Sequence, residues 1–355
     1  MKAVMVHAVD RFAGKTLVAL GIGEYFREMG RKVGYIKPVG TLPLWTEEHG
    51  LTDQDVLFFS QTLGLEDPME LMAPYVVTRD RLRRVFRGEE EAAPVAFRAF
   101  LEISKGKDLV IVGGGGSVHE GTFLGLSGFQ VSREWDVPVL LVAPYDEGLR
   151  SLDLVLDAKE RLGERLLGVV VNKVPAHGRQ ILLEDVVPYM GGRGVRTLGI
   201  IPLDPGLQAL SLEEILAITG GRLLTGFPAH EVLVEGFLLG SMGLEAAVPY
   251  FRKGKGKALI APADRSDLML AALECPISAL IVTEGLPPLD CVLQRAEERR
   301  VPVVLVDMDT LSTVELLDMR WGMAALRGKK KVTRAAELVK VSLDWESFLS
   351  LLGME

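Results

Sequence analysis

Gly14, Lys15 and Thr16 follow a short run of β-branched and apolar residues and open a stretch with helical apolar spacing. A GK[ST] ending in that position can cradle phosphate. Backbone N–H groups at the helix N-terminus face the oxygens, Lys15 adds a point charge, and the Thr16 hydroxyl reaches Mg²⁺. The full GxxxxGK[ST] pattern would place glycine at position 9, where this chain has Val9. The bare motif therefore leaves two readings open, a phosphate loop and a strand-to-helix turn that contains Gly-Lys-Thr.

Three further segments bear on the choice. GYIKPVG at 34–40 sets Lys37 at the end of an apolar run, where an ammonium would face phosphates or an anionic substrate. NKVP at 172–175 offers the Asn172 amide, which can donate to and accept from a purine edge. VGGGGSVHEG at 112–121 strings four glycines together at an entropic cost of about 1 kcal/mol each, which suggests close backbone approach to a ligand.

These residues need a scaffold, and the 355 residues suffice for two domains. Hydrophobic residues make up 48 % and charged residues 25 %, which excludes a disordered or collagen-like chain. Lys plus Arg number 40 against 48 Asp plus Glu, a net charge of -8, so nucleic-acid binding is not expected. The basic run at Lys329, Lys330 and Lys331 reads as a solvated turn. No apolar run reaches membrane-span length and the N-terminus turns polar after eight residues, so a cytoplasmic protein is expected. Cys275 and Cys291 lack CxxC or histidine partners and read as buried fillers.

Apolar runs at 3–7, 32–37, 109–112, 137–143, 167–172 and 195–201 alternate with helical patterns, which predicts a doubly wound, mostly parallel α/β sheet. After residue 201 prolines, a Ser211 cap before Glu213 and Glu214, and a Gly-Gly pair mark a short helix and a linker. The boundary falls near 225. A second, smaller α/β series has strands near 232–239, 258–261, 279–282 and 303–306, with helices starting near Asp264 and Pro288. The stretch AAELVKVSLDWESFLSLLG closes the chain as a helix or helix pair capped by Gly353.

In order and in residues, the segments around Lys15, Lys37, Gly113 and Asn172 resemble dethiobiotin synthetase and its relatives among the P-loop ATPases, which include amide-forming cobalamin enzymes. That family carries a GTDTEVGKT-type loop, a YKPVASG-like strand end, a short acidic helix start, a VEGAGG loop and an Asn-containing base-recognition strand. The resemblance covers residues 1–225 and implies ATP and Mg²⁺ as ligands. It implies that Asp10, Arg11, Phe12, Ala13, Gly14, Lys15, Thr16 and Leu17 surround the phosphates, and that Thr16 and Asp55 meet Mg²⁺. Lys15 and Lys37 would be the catalytic lysines, and Asn172 with Lys173 and Pro175 would read adenine. Residues 226–355 resemble the DRTGG domain through ALIAPADRSDLML, where Asp264 and Arg265 read equally as a helix cap with a local ion pair and as a second ligand site. The two domains in series are the N-terminal arrangement of long phosphate acetyltransferases. Their acetyltransferase domain would follow residue 355, so phosphate acetyl transfer is not expected.

The chain departs from that pattern at Gly113, where the family has the glutamate of VEGAGG, and at Ala8, Val9, Arg11 and Phe12 in the loop. Glu120, seven residues on, could take the glutamate's place. Asp53 and Asp55 read equally as caps of the following helix, Asp108 as a strand-start residue or an acid of the site, and His119 as a loop histidine or a base. Leu44 and Trp45 are candidate lid or interface residues. The expectation is a nucleotide-binding protein, ATP with Mg²⁺, in a regulatory role with at most weak ATPase activity. An ATP-dependent carboxylate/amine ligase and a scaffold that binds no nucleotide are the alternatives. The resemblance further implies a homodimer, and for the DRTGG domain a ligand, a protein partner and its own twin are the open readings.

Overall fold

The computed structural model describes residues 1–147, 150–226, 232–321, 326 and 328–354. The chain forms two compact units, residues 1–203 with 326–355, and residues 204–325. In the first, β1 (Lys2–Ala8), β2 (Val33–Ile36), β5 (Leu109–Gly113), β6 (Val139–Pro144), β7 (Leu166–Val174) and β8 (Thr197–Pro202) make one sheet in the order β2-β5-β1-β6-β7-β8. Every pairing is parallel. All residues of β2 and β5 are buried, as expected of a sheet covered on both faces. The alternation of apolar runs and helical patterns thus gave the strand set correctly, each to within two residues at either end.

The order places β1 in the middle, and the chain leaves it through the helix α1 (Lys15–Glu28) for the edge strand β2. Because all six strands run the same way, the loops after β1, β2, β5 and β7 emerge on one edge of the sheet, the position at which open α/β sheets bind ligands. A hairpin, β3 (Pro43–Thr46) with β4 (Gly50–Asp53), interrupts the path from β2 to the helix α2 (Gln54–Leu63). Its short polar-apolar alternation was not recognised in the sequence.

The second unit carries β12 (Gly236–Leu239), β13 (Lys257–Pro262), β14 (Ala279–Thr283) and β15 (Val303–Leu305) as parallel neighbours, with β10 (Arg222–Leu223) antiparallel on β15. A small pair, β9 (Leu210–Ser211) with β11 (Leu233–Val234), belongs to the same unit. The boundary expected near 225 differs from this division. Leu212 and Ile215, on a helix opened by the Ser211–Glu214 capping box, are buried in the second core with Ile260, Val304 and Leu317. Residues 204–225 are thus an integral layer of the second unit.

The chain end departs in the opposite sense. The helix Lys329–Ser342 and the helix Trp345–Leu352, capped by Gly353, pack on the first unit. A Cβ on Gly21 of α1 would come within 2.3 Å of Val339, Tyr25 stacks on Trp345 at 3.6 Å, and Leu343 bridges Gly199. The lysines at 329–331 open this helix and Lys331 is buried, so they are not a solvated turn. Cys275 is half-buried and Cys291 exposed, so the latter is not a core filler. Among the described residues no helix is long and apolar enough to cross a membrane.

Candidate functional site

The loop between β1 and α1 turns through two left-handed residues, Phe12 (φ 58°) and Gly14 (φ 101°). Glycine is required at 14 twice over, by that φ and because a Cβ there would lie 2.0 Å from Asn172 Nδ2. Phe12 accepts the strain as an exposed residue. The fourteen residues of α1 have no side-chain cap at Gly14, so the first N–H groups of the helix are left for another acceptor.

Lys15 is half-buried and makes no hydrogen bond or ion pair among the described residues. Burial first, and Lys37 second among the lowering effects, hold its ammonium below the ordinary lysine value against the opposing pull of Asp55. Thr16 is likewise half-buried, and Asp10 is engaged with the Arg11 N–H and with Arg150 at 2.7 Å. Arg11 is exposed, Ala13 and Leu17 are buried.

Lys37 is placed differently from the expectation of a substrate-facing lysine. It is only 2 % exposed, and its Nζ donates to Asp53 Oδ1 at 2.9 Å and to Asp55 Oδ2 at 2.6 Å. Burial opposes its charge, but Asp55 and then Asp53 outweigh it and hold the ammonium above its usual value. For Asp55 burial acts upward, yet Lys37 and Lys15 hold its carboxyl below the ordinary range. Asp53 caps α2 through the Asp55 N–H and accepts from the Leu42 N–H, so its reading as a helix cap holds, alongside the ion pair with Lys37 that the structure adds.

The glycine run is explained by packed side chains. A Cβ on Gly113 would lie 2.3 Å from Tyr35 Oη, one on Gly114 2.2 Å from His7, and one on Gly115 2.7 Å from Glu120 Oε2. Gly116 donates its N–H to Glu120, which turns back on its own loop. The phenol of Tyr35 therefore stands in the space a glutamate at 113 would need. His7 is buried, and burial above all, with Lys15 adding to it, pushes its pKa down to about 3, so the ring is neutral. Among the described residues no group of three or more His, Cys, Asp or Glu is arranged to hold a metal.

Asp108 lies at the amino end of β5, away from the loop edge, and accepts from the Lys32 N–H at 2.7 Å; it is a strand-start residue. His119 is half-exposed against Phe129 and 3.9 Å from Asp157. Leu44 and Trp45 sit on the hairpin, Trp45 largely exposed. In the second unit Arg265 donates to the carbonyls of Gly240 and Met242 and pairs with Asp267, while Asp264 is exposed. The Arg265 guanidinium thus ties the end of β12 to a helix start, and the ion pair is with Asp267 and not with Asp264.

Asn172, at the end of β7, carries a contact that sequence reasoning assigned elsewhere. Its Nδ2 donates to Ala13 O at 2.8 Å and its Oδ1 accepts from the Lys173 N–H at 2.8 Å. Lys173 takes a left-handed φ of 60° to present that N–H, and burial lowers its ammonium. Pro175 is half-buried at the start of the following turn.

Comparison with known proteins places these features in a family. Residues 2–211 match the AAA domain family AAA_26, and residues 214–319 match the DRTGG domain. The phosphate acetyltransferase of Pseudomonas putida is 23 % identical over 90 % of this chain and 47 % of that enzyme. That of Nitratidesulfovibrio vulgaris is 21 % identical over 96 % of this chain and 50 % of its own length. The chain thus spans about half the length of the curated relatives it matches. Among solved structures, the MinD cell division protein of Aquifex aeolicus aligns over 58 % of this chain and 84 % of its own, with 16 % identity and a TM-score of 0.35. The CBS and DRTGG domains of the regulatory region of Clostridium perfringens pyrophosphatase, complexed with its activator diadenosine tetraphosphate, align over 43 % of this chain and 74 % of theirs, with 15 % identity and a TM-score of 0.28. By the span from residue 2 to residue 211, the chain belongs to the AAA_26 family of AAA domains, and it carries a DRTGG domain after it.

Proposed function

We propose that this chain binds the phosphates of a nucleotide, ATP with Mg²⁺, on the loop from Asp10 to Leu17, in a regulatory role with at most weak hydrolysis. One observation carries the reading. Lys15 is a half-buried ammonium at an uncapped helix N-terminus, and no acceptor among the described residues serves it. A phosphate there would satisfy the ammonium and the free N–H groups together.

Mg²⁺ commonly takes one or two carboxylates, with substrate oxygens and water completing its shell. Thr16 and Asp55 are the residues that would hold it, and Asp55 also serves Lys37. When bound, the ion would supply charge neutralisation for the phosphates. The protein's part is to position the phosphates: the helix N-terminus orients them, Lys15 fixes their charge, and Asn172 keeps the loop in place. Phosphoryl transfer needs further charge set against the transferring group. Lys37 is sealed behind two carboxylates and Gly113 offers none, which supports binding over a carboxylate/amine ligase.

The second unit, as a module for a partner or effector, and the homodimer belong to the same reading. Light scattering of the whole chain tests the dimer. Turnover tests the rest: with ATP and Mg²⁺ in excess, phosphate release well below the 1–100 per second of working kinases is expected, around 0.01 per second or less. Kinase-like turnover in the presence of a small carboxylate would establish the ligase reading instead.

A further inference from the structure

We infer that two copies of this chain meet antiparallel across the helix Arg79–Phe86 and the turn that follows it. The inference rests on the dimer reading above and names the surface that would form it. This eight-residue helix has no fully buried side chain, yet it is fastened to its unit. Arg81 lies 4.0 Å above the Tyr75 ring and donates to Glu90 Oε1 at 2.9 Å, and Arg84 reaches the other oxygen of that carboxylate at 3.2 Å. One carboxylate thus holds the turn at 88–91 back against the helix.

What is left on the outside is self-complementary. Arg79 and Arg83 stand one turn apart on the exposed face, and Phe86 shares that face one turn further on. Neither arginine makes a side-chain hydrogen bond or ion pair among the described residues. Beyond Phe86, Glu91 is exposed and equally free, and Glu89 has only Arg87, at 3.9 Å. Phe86 is 74 % exposed, and its ring lies 6.0 Å from that of Phe123, which is 59 % exposed. Neighbouring phenylalanines left to water inside a rim of unpaired charges of both signs mark an association surface.

The order of the charges decides the partner and its direction. Positive residues precede Phe86 and negative ones follow it, over comparable spans of chain. In a two-fold contact residue i meets j and j meets i. With the segments antiparallel and the two Phe86 rings near the axis, Arg79 and Arg83 of each copy face Glu89 and Glu91 of the other. A parallel approach would set arginine on arginine, and a uniformly acidic partner would be repelled by Glu89 and Glu91. Phe123 belongs to the loop after β5, one of the loops on the ligand edge, so each copy would also bear on that loop of the other.

Sedimentation velocity of the whole chain tests this with two charge-reversed proteins, Arg79→Glu with Arg83→Glu, and Glu89→Arg with Glu91→Arg. The native chain is expected to be a dimer. Each reversed protein alone brings like charges together and should self-associate at least about tenfold more weakly. An equimolar mixture of the two should recover the dimer, because every contact then joins an acidic side to a basic one. That recovery also shows that both proteins are folded. Phe86→Ala should weaken the native dimer by about tenfold.

Reversed proteins that dimerise as tightly as the native chain would overturn the inference and leave the dimer reading to another surface. Weakened association that mixing does not restore would overturn it too. A native chain that is monomeric throughout would remove the dimer reading and the inference together. Binding of a thymidine oligonucleotide by that monomer, lost in Arg79→Glu with Arg83→Glu, would assign the face to nucleic acid instead.

Discussion

The phenol of Tyr35 and the backbone of Gly113 are complementary: a Cβ at 113 would lie 2.3 Å from Tyr35 Oη. Tyr35 on β2 and Gly113 on β5 belong to neighbouring strands, so the glycine is the small half of a packed pair at the edge that carries the loops. Burial, with Asp55 and Asp53 adding to it, pushes the Tyr35 hydroxyl well above the usual phenol range, so it stays protonated beside the Lys37 cluster.

Adding a side chain at 113 should therefore cost stability through overpacking. Gly113→Ala is expected to lower the unfolding free energy by about 1–3 kcal/mol, and the double variant with Tyr35→Ala to lose less than the sum of the two single losses. Denaturant unfolding of the two single variants and the double variant checks this; additive losses would show that the pair does not interact.

His7 makes stability depend on acid. Its folded pKa of about 3 lies below the ordinary 6.5, so between those values the unfolded chain binds a proton that the native chain does not. Stability should fall by about 1.4 kcal/mol per pH unit as pH drops from 6.5 toward 3 on account of this one group. Urea titrations at several pH values should show that slope in the native chain and a shallower one in His7→Gln.

Gly21 reverses an ordinary rule. Within a helix, glycine to alanine stabilises by roughly 0.5–1 kcal/mol. At Gly21 the new methyl would meet Val339 at 2.3 Å, so Gly21→Ala is expected to destabilise the native chain. Adding Val339→Ala should restore the usual gain. A stabilising Gly21→Ala on its own would mean that the C-terminal helix is not seated on α1 in solution.

The sheet was legible because buried parallel strands write their own pattern, runs such as Leu109 to Val112 between helical faces, and the Ser211–Glu214 box was legible because a cap is local. What the sequence did not disclose was decided across distance. The periodicity of Lys329–Ser342 marks a helix with an apolar face, but nothing in it says that Val339 answers Gly21. Four glycines suggest a ligand, and only the fold reveals Tyr35, His7 and Glu120 filling the space beside three of them. Lys37 at a strand end reads as a lysine for phosphate or substrate and Asp53 and Asp55 as caps, whereas their joining in one ionic cluster with Lys37 buried is a property of packing.

Lys15 should make binding depend on pH in a definite direction. Its ammonium is held below the ordinary 10.5 by burial, so the free site loses its proton earlier than a surface lysine would, and an arriving phosphate restores it. Affinity is expected to fall as pH rises toward 10.5 in the native chain and to stay level in Lys15→Arg, whose charge does not titrate in that range.

The most direct measurement of the whole account is the affinity of ATP with Mg²⁺ for the native chain and for Lys15→Ala, by calorimetry at neutral pH. A charge-assisted hydrogen bond to phosphate is worth about 1.5–3 kcal/mol, so the variant should bind roughly 10- to 150-fold more weakly. Equal affinity in the two proteins, or no binding to the native chain at millimolar nucleotide, would contradict the assignment of this loop as a phosphate site.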